Sequence, residues 1–166
     1  MGHEPLQLFI DTGWLAACGI GADPIDSDHE RLFQTLKRMR EAYAAGQDTL
    51  CLSLIKEFNG AIRSHFAREE AIFPQLAYPG AGHHIAQHAV LASRVEAIME
   101  AAARPPIPRH ILADLIDGLA VVVITDHLAL DLELRRYLPE RPKTTCRNRH
   151  GCAAACFMRH GFNAAR

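Results

Sequence analysis

The sequence predicts an all-α fold: an antiparallel up-down-up-down four-helix bundle with an amino-terminal arm and a flexible carboxy-terminal tail. Three observations predict it. Four stretches carry apolar residues at three- and four-residue steps, Gly or Pro separates each from the next, and nothing of useful length alternates as a strand does. The chain has 166 residues and is 49% hydrophobic, so one domain can bury a core without disulfide staples. Helices joined by short loops bury their apolar stripes against antiparallel neighbours, and such bundles carry metal sites between facing helices.

The opening stretch mixes Gly13, Gly19, Gly21 and Pro24 with Phe9, Ile10 and Trp14, and reads as an ordered arm over one end of the bundle. From Asp28 the pattern turns helical through Leu32, Leu36, Met39 and Tyr43, with Gly46 as the stop. A second helix follows Asp48, runs through Leu54, Ile55, Phe58, Ile62 and Phe66 to Leu76, and is closed by Pro79 and Gly80. A third extends from Gly82 to Ala103 through Ile85, Val90, Leu91, Val95 and Ile98, ended by Pro105, Pro106 and Pro108. The fourth spans Arg109 to Leu138 and stops at Pro139. The bundle and its arm thus occupy residues 1–140, and residues 141–166 form a basic, Cys-containing tail without acidic residues.

A net charge of -1 gives no electrostatic reason to expect a nucleic acid or an anionic membrane as partner. No Lys or Arg precedes Arg31, so the charged region of a secretory signal is missing, and the apolar run Leu119 to Ile124 is far too short to span a bilayer. Five cysteines, with Cys146, Cys152 and Cys156 in the tail, suit a reducing compartment, and a cytoplasmic location is expected.

Ten histidines prompt a search for metal spacing, because neutral imidazole is the commonest protein metal ligand. His65 and Glu69 are four apart on the second helix, His84 and His88 on the third, and His127 and Asp131 on the fourth, while His29 lies in the first. Residues four apart project from one helical face. Any one such pair occurs by chance; a donor set from all four helices does not. Five imidazoles and two carboxylates suit two cations, since a carboxylate can bridge them and cancel part of their repulsion, and iron is the metal this mixture favours. No cysteine belongs to the set, which disfavours a thiolate zinc site or an iron–sulfur cluster.

These residues carry a family resemblance. Ile25-Asp26-Ser27-Asp28-His29-Glu30-Arg31-Leu32-Phe33 resembles the first-helix motif of the bacterial hemerythrins, and His65-Phe66-Ala67-Arg68-Glu69-Glu70 resembles their HFxxEE segment. Tyr78-Pro79 followed by His84 and His88 resembles their Tyr-Pro, His-x-x-x-His pattern, and the likeness covers roughly residues 7 to 140. The resemblance implies two non-haem irons joined by an oxo or hydroxo bridge that bind O2 reversibly, for storage, delivery or buffering rather than turnover. It implies His84, His88 and His127 on one iron, His29 and His65 on the other, Glu69 and Asp131 bridging, and Phe66, Ile124 and Leu128 as an apolar wall. Two other functions use the same ligands: a di-iron enzyme that reduces peroxide or nitric oxide, and a sensor of oxygen or redox state that meets a protein partner through the arm or tail.

Two departures from the family pattern stand out. The family usually spaces its last His and Asp five apart, whereas His127 and Asp131 are four apart. In a regular helix four residues differ by about 40° and five by about 140°, so the longer spacing needs a π-bulge and the shorter needs none. A straight helix is therefore expected here, with Asp131 as the bridge, or Glu133 or water if Asp131 bridges poorly. Val123 stands where the family often has Trp, which implies a wider pocket and faster autoxidation.

Other polar residues read as support. His83 is off the face of His88 and is expected towards solvent or behind a ligand; Asp26 and Asp28 are expected as helix-start residues and Glu70 as a solvated neighbour. His3, His110, His150 and His160 read as surface. Cys146, His150, Cys152, Cys156 and His160 match no zinc spacing.

Overall fold

The structure, a computed structural model, describes residues 19–104 and 106–139. The arm up to residue 18, and the tail with its cysteines, lie outside the described residues. The first helix, α1 (Asp23–Ala44), starts five residues before the expected Asp28. The reason is local: Pro24 in the first turn gives up an N–H that has no partner there anyway, and Asp23 and Asp26 face the positive end of the helix dipole. The Asp26 carboxylate accepts hydrogen bonds from the backbone N–H of Ile20 at 2.6 Å and of Gly21 at 3.0 Å, folding the preceding residues back onto the helix. Gly46 then takes a left-handed φ of 72° and turns the chain.

Helix α2 (Asp48–Leu76) has the expected limits, with Pro74 in its last turn and Ala77 left-handed at its end. Helix α3 spans Ala81–Ala102, and α4 spans Arg109–Asp126. Beyond α4 the helix continues as a π-helical segment, His127–Asp131, and a last α-helical turn, Leu132–Leu134. Each helix packs on the next and α4 returns to α1, which closes the ring of a four-helix bundle; there is no strand among the described residues. Arg109 fastens one end: its guanidinium lies 4.3 Å from the Tyr43 ring, donates to the Tyr43 carbonyl and pairs with Asp48. No helix among the described residues is long and apolar enough to cross a membrane.

Burial divides the interior into two apolar clusters. The larger gathers Leu32, Leu36, Met39, Phe58, Ile62, Phe66, Leu91, Val95, Ile116 and Val123, among others. The smaller joins Ile20, Ile25, Phe73, Tyr78 and Leu134. On α3 the inward face is His84, His88, Leu91 and Val95, and the expected stripe residues Ile85 and Val90 are exposed. That face follows the four-three-four rhythm of a bundle seam, which Ile85 and Val90 miss. On every helix the buried His, Asp and Glu residues fall between positions of the larger cluster and positions of the smaller one, so the fold encloses one layer of ionisable side chains.

Candidate metal centre

That layer holds His29 from α1, His65 and Glu69 from α2, His84 and His88 from α3, Asp126 from the end of α4, and His127 and Asp131 from the π-helical segment. None is more than 2% exposed. All seven residues expected from the sequence are therefore in the layer, joined by one that the sequence does not single out, Asp126.

Their donor atoms converge in two groups, His29, His65, Asp126 and Asp131 in one and Glu69, His84, His88 and Asp126 in the other; within each the ligand atoms lie within 4.8 Å of one another. Asp131 spans the groups, with Oδ2 2.9 Å from His29 Nε2 and Oδ1 3.3 Å from His84 Nε2. Asp126 spans them in the same way, with Oδ2 2.9 Å from His65 Nε2 and Oδ1 3.3 Å from His88 Nε2. Glu69 approaches with Oε2, which is 3.4 Å from His84 Nε2 and 3.3 Å from His88 Nε2. His127 is buried against the first group, its ring 4.5 Å from that of His29 and its Nδ1 3.8 Å from Asp131, but it belongs to neither group.

Most of these atoms are close without being hydrogen-bonded. Both Glu69 oxygens, both Asp131 oxygens, both ring nitrogens of His29, His84 and His127, and one atom each of His65, His88 and Asp126 are buried without a hydrogen-bond partner. An unpaired buried polar atom costs about 1–3 kcal/mol, and more when charged, so a cluster of this size opposes folding unless something satisfies its members together. Imidazole nitrogens and carboxylate oxygens aimed at common points fit cations of the iron, zinc or copper class, and two groups sharing carboxylates fit a pair.

The final helix departs from the sequence expectation. The His127–Asp131 segment is π-helical, not straight, and the Leu132 N–H reaches back five residues to the His127 carbonyl. The physical reason is the Asp126 to Asp131 interval: five residues share a face only when the helix is locally widened, and both carboxylates are buried in one layer. Asp126 is masked in the sequence because His127 beside it already supplies a donor four residues from Asp131. The signal is its five-residue interval to Asp131, the interval for which a π-bulge is required. Glu133, the alternative bridge, is exposed.

Support around the layer also differs in part from expectation. Glu70 is no free solvated neighbour, since its Oε1 lies 2.9 Å from His88 Nδ1. Asp28 is not a helix-start residue but a buried carboxylate paired with Arg68 at 2.6 and 3.0 Å and with Arg31 at 3.6 Å. His83 and His110 face solvent. Phe66 stacks on His88 with ring centroids 4.1 Å apart, and Phe73 and Tyr78 flank His84. Ile124 and Leu128 are only half-buried, whereas Val123 is buried. A surface groove of about 350 Å³, lined by Arg63, Phe66, Glu70, Ile85 and His88 among others, reaches the layer from outside.

The layer's charges act on one another. Burial alone opposes a charged imidazole, but the carboxylates of Asp131 and Glu69 close beside the ring outweigh it and push His84 up to about 9. His88 goes up to about 10, where the nearby carboxylates of Asp126 and Glu69 overcome the same burial cost. Burial of Asp131 is likewise overcome, by His127, His29 and His84, which hold its carboxyl well below the usual range.

Comparison with known proteins agrees with this geometry. Residues 21–132 match the family model of the hemerythrin HHE cation binding domain. Over 82 residues the chain is 32% identical to a bacteriohemerythrin of Stenotrophomonas maltophilia (strain R551-3), a stretch that covers 49% of this chain and 54% of that relative. No solved structure matches it. A four-helix bundle whose helices all contribute to one buried His and carboxylate layer, matched by that domain along most of the bundle, belongs to the hemerythrin HHE cation binding family.

Proposed function

We propose that this chain binds O2 reversibly at a non-haem di-iron centre, serving to store, deliver or buffer oxygen in the cytoplasm. The observation that carries the reading is the pair of buried donor groups with unsatisfied nitrogen and oxygen atoms. His29, His65 and Asp131 would hold one iron, and Glu69, His84 and His88 the other, with Asp131 reaching both. A reduced iron pair at this position supplies the two electrons that O2 takes up on binding and returns on release.

The chain's own residues do the rest. Glu70 can accept a hydrogen bond from His88 Nδ1, which leaves the ring's Nε2 lone pair directed inward. Phe66 covers the outer face of His88, and the two apolar clusters close the layer above and below, so water is kept from a reactive centre. The groove beside Phe66 and His88 gives a small apolar gas a short way in.

A second reading is favoured by one observation. Three buried carboxylates, rather than the expected two, move the donor set towards the carboxylate-rich centres of bundle proteins that activate oxygen, so a di-iron enzyme reducing peroxide or nitric oxide is the alternative. The deciding experiment measures iron per chain and the visible spectrum of the reduced protein before air, after air, and after oxygen is removed. Two irons with an absorption band that comes and goes with O2 support the carrier. Two irons oxidised irreversibly, with no such band, favour the enzyme, and absence of iron defeats both.

A further inference from the structure

We infer that Asp126 is a metal ligand shared by both ions, so that this chain holds its metal pair with three carboxylates and takes its last-helix donors from Asp126 and Asp131 rather than from His127. The inference rests on the metal-binding reading above and goes beyond it by reassigning the ligands of the last helix.

Four observations carry it. Asp126 is the residue common to both donor groups, and His127 is in neither. Its two oxygens are divided between them, Oδ2 towards His65 and Oδ1 towards His88, as those of Asp131 are divided between His29 and His84. It is 1% exposed, and while Oδ2 meets His65 Nε2 at 2.9 Å, Oδ1 has no hydrogen-bond partner, so the carboxylate is desolvated and only half satisfied by the layer. The π-helical segment gives the backbone reason, because it brings two residues five apart onto one face. Two carboxylates from one helix, each with one oxygen towards either group, are the arrangement in which both can bridge two cations.

The donor chemistry follows. Two divalent ions carry four positive charges; Glu69 and Asp131 offset two of them, and Asp126 offsets a third. Oxygen-rich sites favour harder cations than imidazole-rich ones, so Asp126 shifts the preference away from copper and towards iron or manganese.

The test uses the full chain stripped of metal and titrated with Co(II), read by visible absorption and by ions bound per chain. Loss of a residue that merely supports a ligand costs about 10–100-fold in affinity, so Asp126→Asn, which keeps the shape and removes the charge, should weaken both ions by more than about a hundredfold and alter the Co(II) bands. His127→Gln should still take up two ions with bands close to those of the wild type. Wild-type stoichiometry, affinity and bands in Asp126→Asn would overturn the inference, as would loss of an ion from His127→Gln alone. Should Asp126→Asn fail to fold, Asp126→Glu is read in its place: two ions with altered bands support a ligand at 126, and unaltered bands refute it. A wild-type chain that takes up no Co(II) defeats the metal-binding reading itself, a result distinct from the others, and the inference falls with it.

Discussion

Glu70 Oε1 stands 2.9 Å from His88 Nδ1, while Nε2 of the same ring faces Glu69 and Asp126, each at 3.3 Å. A half-exposed carboxylate outside the polar layer thus fixes the orientation of a fully buried ring inside it. Supporting partners of this kind set ring orientation and raise ligand basicity, and losing one costs about 10–100-fold in metal affinity. Glu70→Ala should show a loss of that size in a Co(II) titration, with Glu70→Gln recovering part of it through its amide oxygen. An affinity unchanged in Glu70→Ala would mean that the contact does not position the ring.

His65 offers the sharpest test of the centre as a whole. His65→Ala removes a donor from the group formed with His29, Asp126 and Asp131, at a position wholly buried in the layer. Iron should fall to one or fewer per chain and O2 binding should disappear, while far-UV circular dichroism stays helical. Full iron content with O2 binding intact would defeat the assignment.

The pair between Asp28 and Arg68 joins α1 to α2 beside His29. Asp28 is 6% exposed, so Arg68→Met strands a buried carboxylate with only Arg31, 3.6 Å away, in reach. Hydrogen bonds to charged groups contribute about 1.5–3 kcal/mol, and urea unfolding of the metal-free chain should register a loss in that range. A change below about 0.5 kcal/mol, as for an ordinary surface substitution, would show that solvent replaces the guanidinium.

Protonation of His84 and His88 should make the metal-free chain pH-sensitive. Both are raised from 6.5, to about 9 and about 10, so the stability they contribute is fully present below pH 6.5 and lost as pH rises through those values. The midpoint of thermal unfolding should fall over that window. Metal ligation needs neutral imidazole, so Co(II) uptake at pH 8 should release protons into weak buffer, and the loaded chain should lose less stability on the alkaline side. A metal-free melting temperature that is flat from pH 6.5 to above 10 would contradict the coupling of these rings to Glu69, Asp126 and Asp131.

Much of the bundle and its polar layer is legible in the amino-acid sequence, for reasons that can be traced to single residues. Gly46, Asp48, Pro79 and Gly80 act locally, so the limits of α2 are those the sequence predicts. Asp23-Pro24 is just as local a start signal, but the glycines around it read as an arm and place the expected start of α1 too late. On α3 the small residues Ala81, Ala86, Ala89 and Ala92 weaken the apolar pattern, which lets Ile85 and Val90 pass as core. The donor residues are visible because paired spacings on separate helices are improbable together. The shape of the final helix is not, since a π-turn is decided by which side chains the other three helices leave room for. His127 already answers the local pattern, and only tertiary packing brings Asp126 into the layer.

The π-turn also governs how far the last helix can run inside the bundle. From Val122 the buried residues advance in two parallel files, Val122, Asp126, Leu130 and Leu134 in one and Val123, His127 and Asp131 in the other, always in steps of four. In an undistorted α-helix each such step drifts by about 40°, so three of them would carry Leu134 about 120° away from Val122 and out towards water. The wider turn slows that rotation, and Leu134 arrives fully buried in the apolar cluster with Ile25, Phe73 and Tyr78. The same distortion that admits a second aspartate thereby supplies the plug that seals the far side of the polar layer.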